Sequence, residues 1–189
     1  MPRAQQYTRE QIVESAFAIV REDGEDALSA RSLAARLGCS VRPSFSRFAG
    51  MEEVQHAVWR RANETYNAFV ADAMERGTAR PHLASGIAYV DFARREPQLF
   101  AMLFMGPRTV EEMRQAERDV EPIVAIVARQ LGVTEARALE FHTQLWVYVH
   151  GLATMIATRY LDWDADFDER STSQVYRALK ADLESGKEA

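Results

Sequence analysis

The stretch SARSLAARLGCSVRPSFSRF, residues 29–48, decides the fold of the N-terminal part of the chain. Ser29 stands where the N-cap of a short helix is expected, and Gly38 follows that helix as a residue that accepts a positive φ. A three-residue break then leads into a second short helix, 41–48. Two short helices joined by such a turn predict a helix-turn-helix motif.

The polar side chains of this motif indicate what it contacts. The second helix of a helix-turn-helix lies in the major groove of DNA, where Arg42 and Ser44 are donors that reach base edges. Hydroxyl and guanidinium groups near the helix ends suit phosphate oxygens, and these belong to Ser29, Ser40 and Arg47. Residues 31–47 contain four arginines and no acidic residue. This run favours DNA binding over the alternative, a helical hairpin with solvated arginines.

The rest of the chain shows helical periodicity, without the sustained alternation that is typical of strands. Thr8 and Gln11 predict a capping box at the start of a first helix, which ends at Gly24. Further helices are predicted over residues 51–74, 82–94, 97–104, 109–118, 120–131, 134–161 and 171–185. The acidic segment 162–169 is interpreted as a solvated connection. The predicted fold class is all-α, with a three-helix helix-turn-helix domain followed by a larger helical domain.

Composition limits the setting in which the chain works. Its 189 residues carry a net charge of −5 and one cysteine, which excludes an intrachain disulfide and a basic coat over the whole surface. The N-terminal residues lack the apolar stretch of a secretory signal, and the longest apolar run is too short to cross a bilayer. We therefore expect a cytoplasmic protein without a membrane partner.

Two sets of residues carry a resemblance to a known family. The first set comprises Ile12, Ala16, Gly24, residues 28–34 (LSARSLA), residues 37–40 (LGCS), Phe45, residues 47–49 (RFA) and residues 52–54 (EEV). The second set comprises Phe92-Ala93, Glu96-Pro97, Phe100, Leu103-Phe104, Trp146 and residues 150–153 (HGLA). By the first set the chain resembles TetR-family transcriptional regulators. By the second it resembles their branch whose C-terminal domain is named for a Trp-His-Gly signature.

This resemblance implies a repressor that binds an inverted repeat of double-stranded DNA as a homodimer and releases it when a small-molecule effector binds. The DNA-binding domain is predicted over residues 1–50, and the ligand-binding and dimerisation domain over residues 51–189. Met51 departs from the family because a lysine that contacts phosphate often stands there. Where Val41 and Arg42 stand, the family often has a basic residue and a glycine, and its usual aromatic is present as Phe45. One backbone contact is therefore expected to be missing, and Arg42 is expected to compensate.

The C-terminal two thirds are rich in large apolar side chains that suit flat or flexible apolar ligands. The candidate ligand-binding residues are Tyr66, Phe69, Tyr89, Phe92, Phe100, Phe104, Met105, His142 and Trp146. The alternative for each of them is that it fills the core. His142 and His150 lie eight residues apart and share a helix face, but no carboxylate or cysteine has a spacing that suits a metal. No metal and no cofactor is predicted.

The predicted helix 134–161 is apolar on nearly all sides between Leu145 and Ile156, so several surfaces must cover it. Together with helix 171–185 it is expected to build a four-helix dimer interface that includes Val149 and Leu179. The alternatives are a monomer that packs both helices internally, a helical enzyme or ligand carrier, and a protein-interaction module. The sequence shows no Gly-rich phosphate loop and no nucleophile elbow, so an enzyme is not expected.

Overall fold

The computed structural model describes residues 7–40, 47–76, 80–160 and 164–185. All regular secondary structure in these ranges is helical, so the all-α prediction is confirmed. The α-helices are α1 (Arg9–Asp23), α2 (Ala30–Leu37), α3 (Met51–Arg76), α4 (Pro81–Arg95), α5 (Pro97–Phe104), α6 (Val110–Leu131), α7 (Glu135–Ala157) and α8 (Ala165–Ser185), with a 3-10 turn at Glu25–Ala27. None of the helices in the described ranges combines the length and the apolar composition that crossing a bilayer requires.

The chain divides into two compact units. Unit 1 comprises Met1–Ala68 and Glu96–Gly106, and unit 2 comprises Phe69–Arg95 and Pro107–Ala189. The chain passes from the first unit to the second within α3. The functional division between residues 50 and 51 stays a prediction.

Unit 1 is built on the apolar faces of α1, α2, α3 and α5. In α1 the side chains of Ile12, Ala16 and Val20 lie four residues apart, so they share one face, and all three are fully buried. Leu33 of α2 and Val58 of α3 are fully buried in the same unit. Burying a valine, leucine or isoleucine side chain contributes about 1.5–3 kcal/mol, so each of these larger side chains stabilises unit 1.

In unit 2, side chains of α4, α7 and α8 contact each other at both ends of the helices, and these contacts show the relative directions of the helices. The ring of His82 near the start of α4 lies 5.9 Å from the ring of Tyr176, in the C-terminal half of α8. Arg94 at the other end of α4 pairs with Asp168 in the first turn of α8. The two helices are therefore antiparallel.

Helix α7 is antiparallel to α8 and parallel to α4. Arg137 in the first turn of α7 donates to the carbonyl of Leu183 near the end of α8, at 3.2 Å. Against α4, two polar contacts run in the same direction along both helices, from His82–His142 to Tyr89–His150. These contacts fix the faces that α7 presents inside unit 2.

The structure places Val149 inside the protomer rather than at an interface. Its side chain is 2% exposed, and its Cγ1 would lie 3.6 Å from a Cβ added at Gly86. The prediction of Val149 as an interface residue is therefore wrong. The neighbouring Val147, which is 61% exposed, points away from the core.

Two predicted helix boundaries are wrong, one between residues 118 and 120 and one at residue 161. Residues 109–118 and 120–131 were expected as two helices, but α6 is continuous and contains Pro122. Since Pro122 is exposed, its ring meets no core packing, and the helix loses only one backbone hydrogen bond there. Helix α7 was expected to reach residue 161, but it ends at Ala157, followed by Arg159 with a φ of +54°.

The acidic segment is also different from its interpretation as a solvated connection. Helix α8 begins at Ala165, and the backbone N–H of Phe167 donates to the carboxylate of Asp164 at 2.6 Å. Asp168 lies in the first turn and is 6% exposed. Carboxylates are favourable at a helix N-terminus, where backbone N–H groups have no intrahelical partner. The acidic residues from Asp164 onward therefore start the helix instead of linking two helices, and residues 162 and 163 of the segment lie outside the described residues.

Candidate functional site

The start of α2 places Ser29 at an exposed helix terminus. The Ser29 hydroxyl accepts the backbone N–H of Ser32 at 3.1 Å, while the Ser32 hydroxyl accepts the backbone N–H of Ser29 at 2.9 Å. This reciprocal capping box satisfies two donors that the helix cannot satisfy by itself. The predicted N-cap is confirmed, and the side chain remains exposed next to the free end of the helix.

The end of α2 is a sharp turn that depends on Gly38. The backbone N–H of Gly38 donates to Ala35 and that of Cys39 donates to Ala34, each at 3.1 Å. This pair of bonds stops the helix in the manner of a Schellman motif, which needs a left-handed residue. Gly38 supplies it, with a φ of +66°. The structure therefore contains the end of the first short helix and the start of the turn that the sequence predicted. Ser40, the last residue described before the second predicted helix, is exposed.

The residues proposed to read bases lie outside the described part of the chain. These are Val41, Arg42, Ser44 and Phe45. On their C-terminal side Arg47 is exposed, and its carbonyl accepts a hydrogen bond from the guanidinium of Arg9 at 3.0 Å. Arg9 also lies 4.1 Å from the ring centroid of Phe48 and pairs with Glu53. The chain at Arg47 and Phe48 is thus fixed to both α1 and α3.

The arginines of the acid-free run differ in how far their charge is available. Arg31 and Arg47 are exposed. Arg36 makes two hydrogen bonds of 2.7 Å to the carboxylate of Glu22 in α1, and this bonding lowers the pKa of Glu22. The sequence pattern counted Arg36 with the others, because an acidic partner fourteen residues away is invisible in a local window. Its charge is largely compensated within unit 1.

The side chains predicted to bind a ligand are divided between the two units. Unit 1 contains Tyr66, Phe100, Phe104 and Met105, and unit 2 contains Phe69, Tyr89, Phe92, His142 and Trp146. In unit 1 the ring of Phe104 lies 5.0 Å from that of Tyr66 and 5.2 Å from that of Phe100, while Met105 is 43% exposed. In unit 2 Phe69 packs edge-on against Phe92 at 5.7 Å. Phe92 and Phe100 are fully buried, and a ligand-binding role for all nine side chains remains a prediction.

Two polar contacts, each to a histidine of α7, join α4 to α7 inside unit 2. The Nε2 of His82 lies 3.1 Å from the Nδ1 of His142, and the hydroxyl of Tyr89 lies 2.8 Å from the Nδ1 of His150. Burial, together with the neighbouring His142, lowers the pKa of His82 to about 3. Burial also lowers the pKa of His142. Both imidazoles are therefore neutral at pH 7, and one ring donates to the other.

Sequence reasoning did not single out His82, although the structure makes it the most deeply buried histidine among the described residues, at 1% exposed. Its partner lies sixty residues away, and a histidine in the first turn of a helix carries no signal of burial. Trp146 lies between His142 and His150 on α7, and its ring stacks on His150 with centroids 4.9 Å and planes 18° apart. The predicted shared face of the two histidines is therefore observed as a row of three rings.

Similarity to known proteins covers nearly the whole chain. A family model described as a tetracyclin repressor-like C-terminal domain matches residues 82–179, about half of the chain. An uncharacterised HTH-type transcriptional regulator of Mycobacterium tuberculosis is 25% identical over 187 residues, which cover 96% of this chain and 84% of that protein. A solved structure of a protein of unknown function from Rhodococcus sp. RHA1 matches with a TM-score of 0.75. It covers 95% of this chain and 99% of that chain at 23% identity, and this likeness concerns the fold alone.

Proposed function

Because the chain belongs to the TetR family of transcriptional regulators, we propose that it is a ligand-controlled repressor that binds an inverted-repeat operator as a homodimer. Residues 1–50 contain the DNA-binding part, and residues 51–189 bind the effector and the second subunit. Proteins of this family are regulators and not enzymes, so no catalytic residue is assigned.

The observation that carries the proposal is the turn at Gly38. It ends α2 with two backbone hydrogen bonds, at the position where a helix-turn-helix requires a turn. The flanking side chains of Ser29, Ser40 and Arg47 are exposed and therefore accessible to phosphates. The residues proposed to contact DNA are Ser29, Ser40, Val41, Arg42, Ser44, Phe45 and Arg47.

The second subunit is proposed to pack on α7 and α8. Leu139, Val147 and Met155 are 48%, 61% and 38% exposed. They belong to one row of α7, in which every fourth residue from Leu139 onward lies on the same side of the helix. A shallow, mostly apolar groove runs between the part of this row at 139, 143 and 147 and a parallel row at 136, 140 and 144. Rows and grooves of this kind receive the matching row of another helix at a crossing angle near −50°. The two α7 helices of a symmetric dimer would meet in this way.

Gly151 marks the place of closest approach on the same row. A Cβ added there would have no atom within 4 Å in the protomer, so packing within the protomer does not require a glycine at this position. Glycine in a helix interior costs about 1 kcal/mol relative to alanine. A glycine at this position would allow the backbone of a second α7 to approach closely, and this contact would offset the cost.

Release of DNA is proposed to follow a shift between two conformations of the dimer. The recognition helices of such a dimer must lie about 34 Å apart to enter successive major grooves. Since α3 contains residues of both units, a rearrangement of unit 2 is transmitted along a continuous helix. An effector releases DNA only to the extent that it prefers the conformation with the wrong spacing.

DNA binding is tested by fluorescence anisotropy with a labelled duplex from the region upstream of the gene. We expect saturable binding that weakens steeply as salt rises, because phosphate contacts release counterions. Arg47→Ala should weaken binding severalfold and reduce the salt slope by about 1, whereas Arg129→Ala, an exposed arginine of unit 2, should change neither. Binding that is absent even at low salt would overturn the proposal.

The dimer is tested separately by sedimentation equilibrium. Val147→Asp and Leu139→Asp should each shift the protein toward monomer, since a carboxylate would be buried without a partner. Tyr160→Asp is the control, because Tyr160 is 76% exposed in the same unit and lies outside the row. Dimers that persist in both row variants would place the interface elsewhere.

A further inference from the structure

Arg9 is the first residue of α1, where the helix itself does not favour a positive charge. The N–H groups at a helix N-terminus carry a partial positive charge, so acidic rather than basic side chains are stabilising there. Glu10 meets that preference in the same turn. The energetics of α1 therefore give no reason for an arginine at position 9, and its contacts outside the helix supply one.

The guanidinium of Arg9 contacts two parts of the chain near the start of α3. Its Nη1 donates to the carbonyl of Arg47 at 3.0 Å and lies 2.8 Å from the Oε1 of Glu53. Its central carbon lies 4.1 Å from the ring centroid of Phe48, which is 8% exposed. A planar guanidinium can stack on a ring and donate hydrogen bonds in its own plane at the same time.

Glu53, the third residue of α3, connects Arg9 to the backbone before that helix. Its Oε2 accepts the backbone N–H of Ala49 at 2.7 Å, while its Oε1 pairs with Arg9. The Ala49 N–H and the Arg9 guanidinium both lower the pKa of Glu53, so this carboxylate is charged at neutral pH. Arg9 from α1 and Glu53 from α3 together hold the backbone of residues 47–49.

Tyr7 makes a comparable contact earlier in the chain. Its hydroxyl donates to the carbonyl of Leu37, the last residue of α2. Tyr7 and Arg9 are two positions apart, and they bond to Leu37 and Arg47, which lie on either side of residues 41–46. The residues around the start of α1 therefore hold the chain before and after the proposed base contacts.

We propose that Tyr7, Arg9 and Glu53 are positioning residues for DNA binding. They hold the backbone at Leu37 and at residues 47–49 and do not need to touch DNA themselves. The proposal rests on the proposed function, because it concerns how the chain distinguishes its operator from other DNA.

The physical effect of these contacts is on preorganisation. A chain that is already held in place loses less conformational entropy when it binds. Releasing it lowers the fraction of molecules that are competent to bind, and the apparent affinity falls by the same factor. Base contacts specify sequence whereas phosphate contacts do not, so loss of position should weaken operator binding more than binding to unrelated DNA.

The test compares two labelled duplexes by fluorescence anisotropy, one from the region upstream of the gene and one with the same bases in scrambled order. Glu53→Ala removes a negative charge, so electrostatics alone would tighten binding to both duplexes. Because the change also releases Ala49 and Arg9, we expect affinity for the upstream duplex to fall about tenfold and affinity for the scrambled duplex to change less than about twofold. Glu52→Ala removes the same charge from an exposed neighbour, and this matched control should weaken neither.

Further variants separate hydrogen bonding from charge. Glu53→Gln keeps an oxygen that accepts from Ala49 and Arg9, so it should retain affinity for the upstream duplex within about threefold. Arg9→Ala should reproduce the loss seen in Glu53→Ala, and the double variant should lose little more than either alone, because the two residues act as a unit. Tyr7→Phe lacks only the hydroxyl and should weaken binding to the upstream duplex about threefold.

Thermal unfolding of each variant shows that it is folded at the temperature of the binding measurement. A folded Glu53→Ala variant that binds the upstream duplex as tightly as Glu52→Ala overturns the proposal. Equal losses for both duplexes do so as well, because they indicate a direct phosphate contact. If Glu53→Ala does not fold, Tyr7→Phe decides, since it leaves the Arg9–Glu53 pair in place and unchanged discrimination there contradicts the positioning role.

Failure of the positioning role and failure of the repressor function give different results. Wild-type protein that prefers the upstream duplex, with variants that keep the same preference, overturns only the positioning role. Wild-type protein that binds neither duplex, or both equally, contradicts the repressor function and the positioning role with it.

Discussion

In unit 1 polar side chains cap helix ends and pair at the surface, whereas in unit 2 several of them are buried between helices. Thr8 and Ser29 cap α1 and α2 through partners three residues away. His82, Asp168 and Thr172 of unit 2 are 6% exposed or less, and the partners of His82 and Asp168 come from distant parts of the chain. Burial of a polar group is unfavourable unless it is bonded, so these positions depend on how the helices of unit 2 pack.

The bonding of the buried groups in unit 2 is incomplete. The Nδ1 of His82, the Oδ1 of Asp168 and the hydroxyl of Thr172 have no hydrogen-bond partner among the described residues. Each such atom costs about 1–3 kcal/mol. Unit 2 should therefore respond more strongly than unit 1 to changes at polar positions.

The largest effect is expected from Arg94→Met. The change leaves the carboxylate of Asp168, whose side chain is 8% exposed, buried without a counter-charge. We expect the free energy of unfolding in urea to fall by about 3 kcal/mol. The control is Arg76→Met, which removes a surface pair with Asp72 and should cost less than about 0.5 kcal/mol. Equal effects of the two variants would contradict the structural importance of the buried pair.

Acid should destabilise unit 2 through His82. Its pKa is lowered to about 3 in the folded protein from an ordinary value of 6.5, so below pH 6.5 the unfolded chain binds more protons. Stability is then lost as the pH falls from 6.5 toward 3, by about 2–3 kcal/mol at pH 4.5. His82→Gln should flatten this dependence, whatever its effect at pH 7. His56→Gln in unit 1 is the control, and an equal flattening there would exclude His82 as the cause.

In unit 1 the sensitive positions are glycines. Gly24 has a φ of +90° and a ψ of 170°, a conformation that is essentially confined to glycine, so Gly24→Ala should cost about 2 kcal/mol. An added Cβ would lie 2.8 Å from the Oε1 of Gln98, but this atom ends a flexible side chain that can move away. Gly38 has a φ of +66° with no atom within 4 Å of an added Cβ, so Gly38→Ala should cost only the backbone strain, about 1 kcal/mol. Thermal unfolding of both variants measures the difference. A larger loss in Gly38→Ala would contradict the greater backbone strain that is expected at Gly24.

The smallest effect is expected from Gly86→Ala in α4, and it should be stabilising. An added Cβ would lie 3.6 Å from Leu145 and Val149 and 3.7 Å from Thr172, which are ordinary contact distances. Replacing a helical glycine at a compatible position stabilises by about 0.5–1 kcal/mol. Thermal unfolding should show a corresponding rise in Tm. A decrease would indicate that the space beside Thr172 is occupied by a bound water.

The sequence alone predicted the elements that depend on neighbouring residues. The capping box at Thr8, the N-cap at Ser29, the stop at Gly38 and the all-α fold class follow from signals within one or two helical turns, and the structure contains all of them. The boundaries failed where a competing signal was stronger. Asp164 caps the start of α8, seven residues before the predicted start at Ser171. After α7, the residue with a positive φ is Arg159, and the sequence has no glycine there that would indicate a helix end.

The polar interior of unit 2 was decided by the tertiary structure. The sequence placed His142 and His150 on one helix face but could not supply His82 and Tyr89 as their partners, because hydrogen bonds between α4 and α7 join residues about sixty positions apart. A helix cap needs only the chain that follows it. A buried histidine pair or ion pair instead needs two helices that pack with the two residues opposite each other. Only the packing of the whole unit determines this alignment.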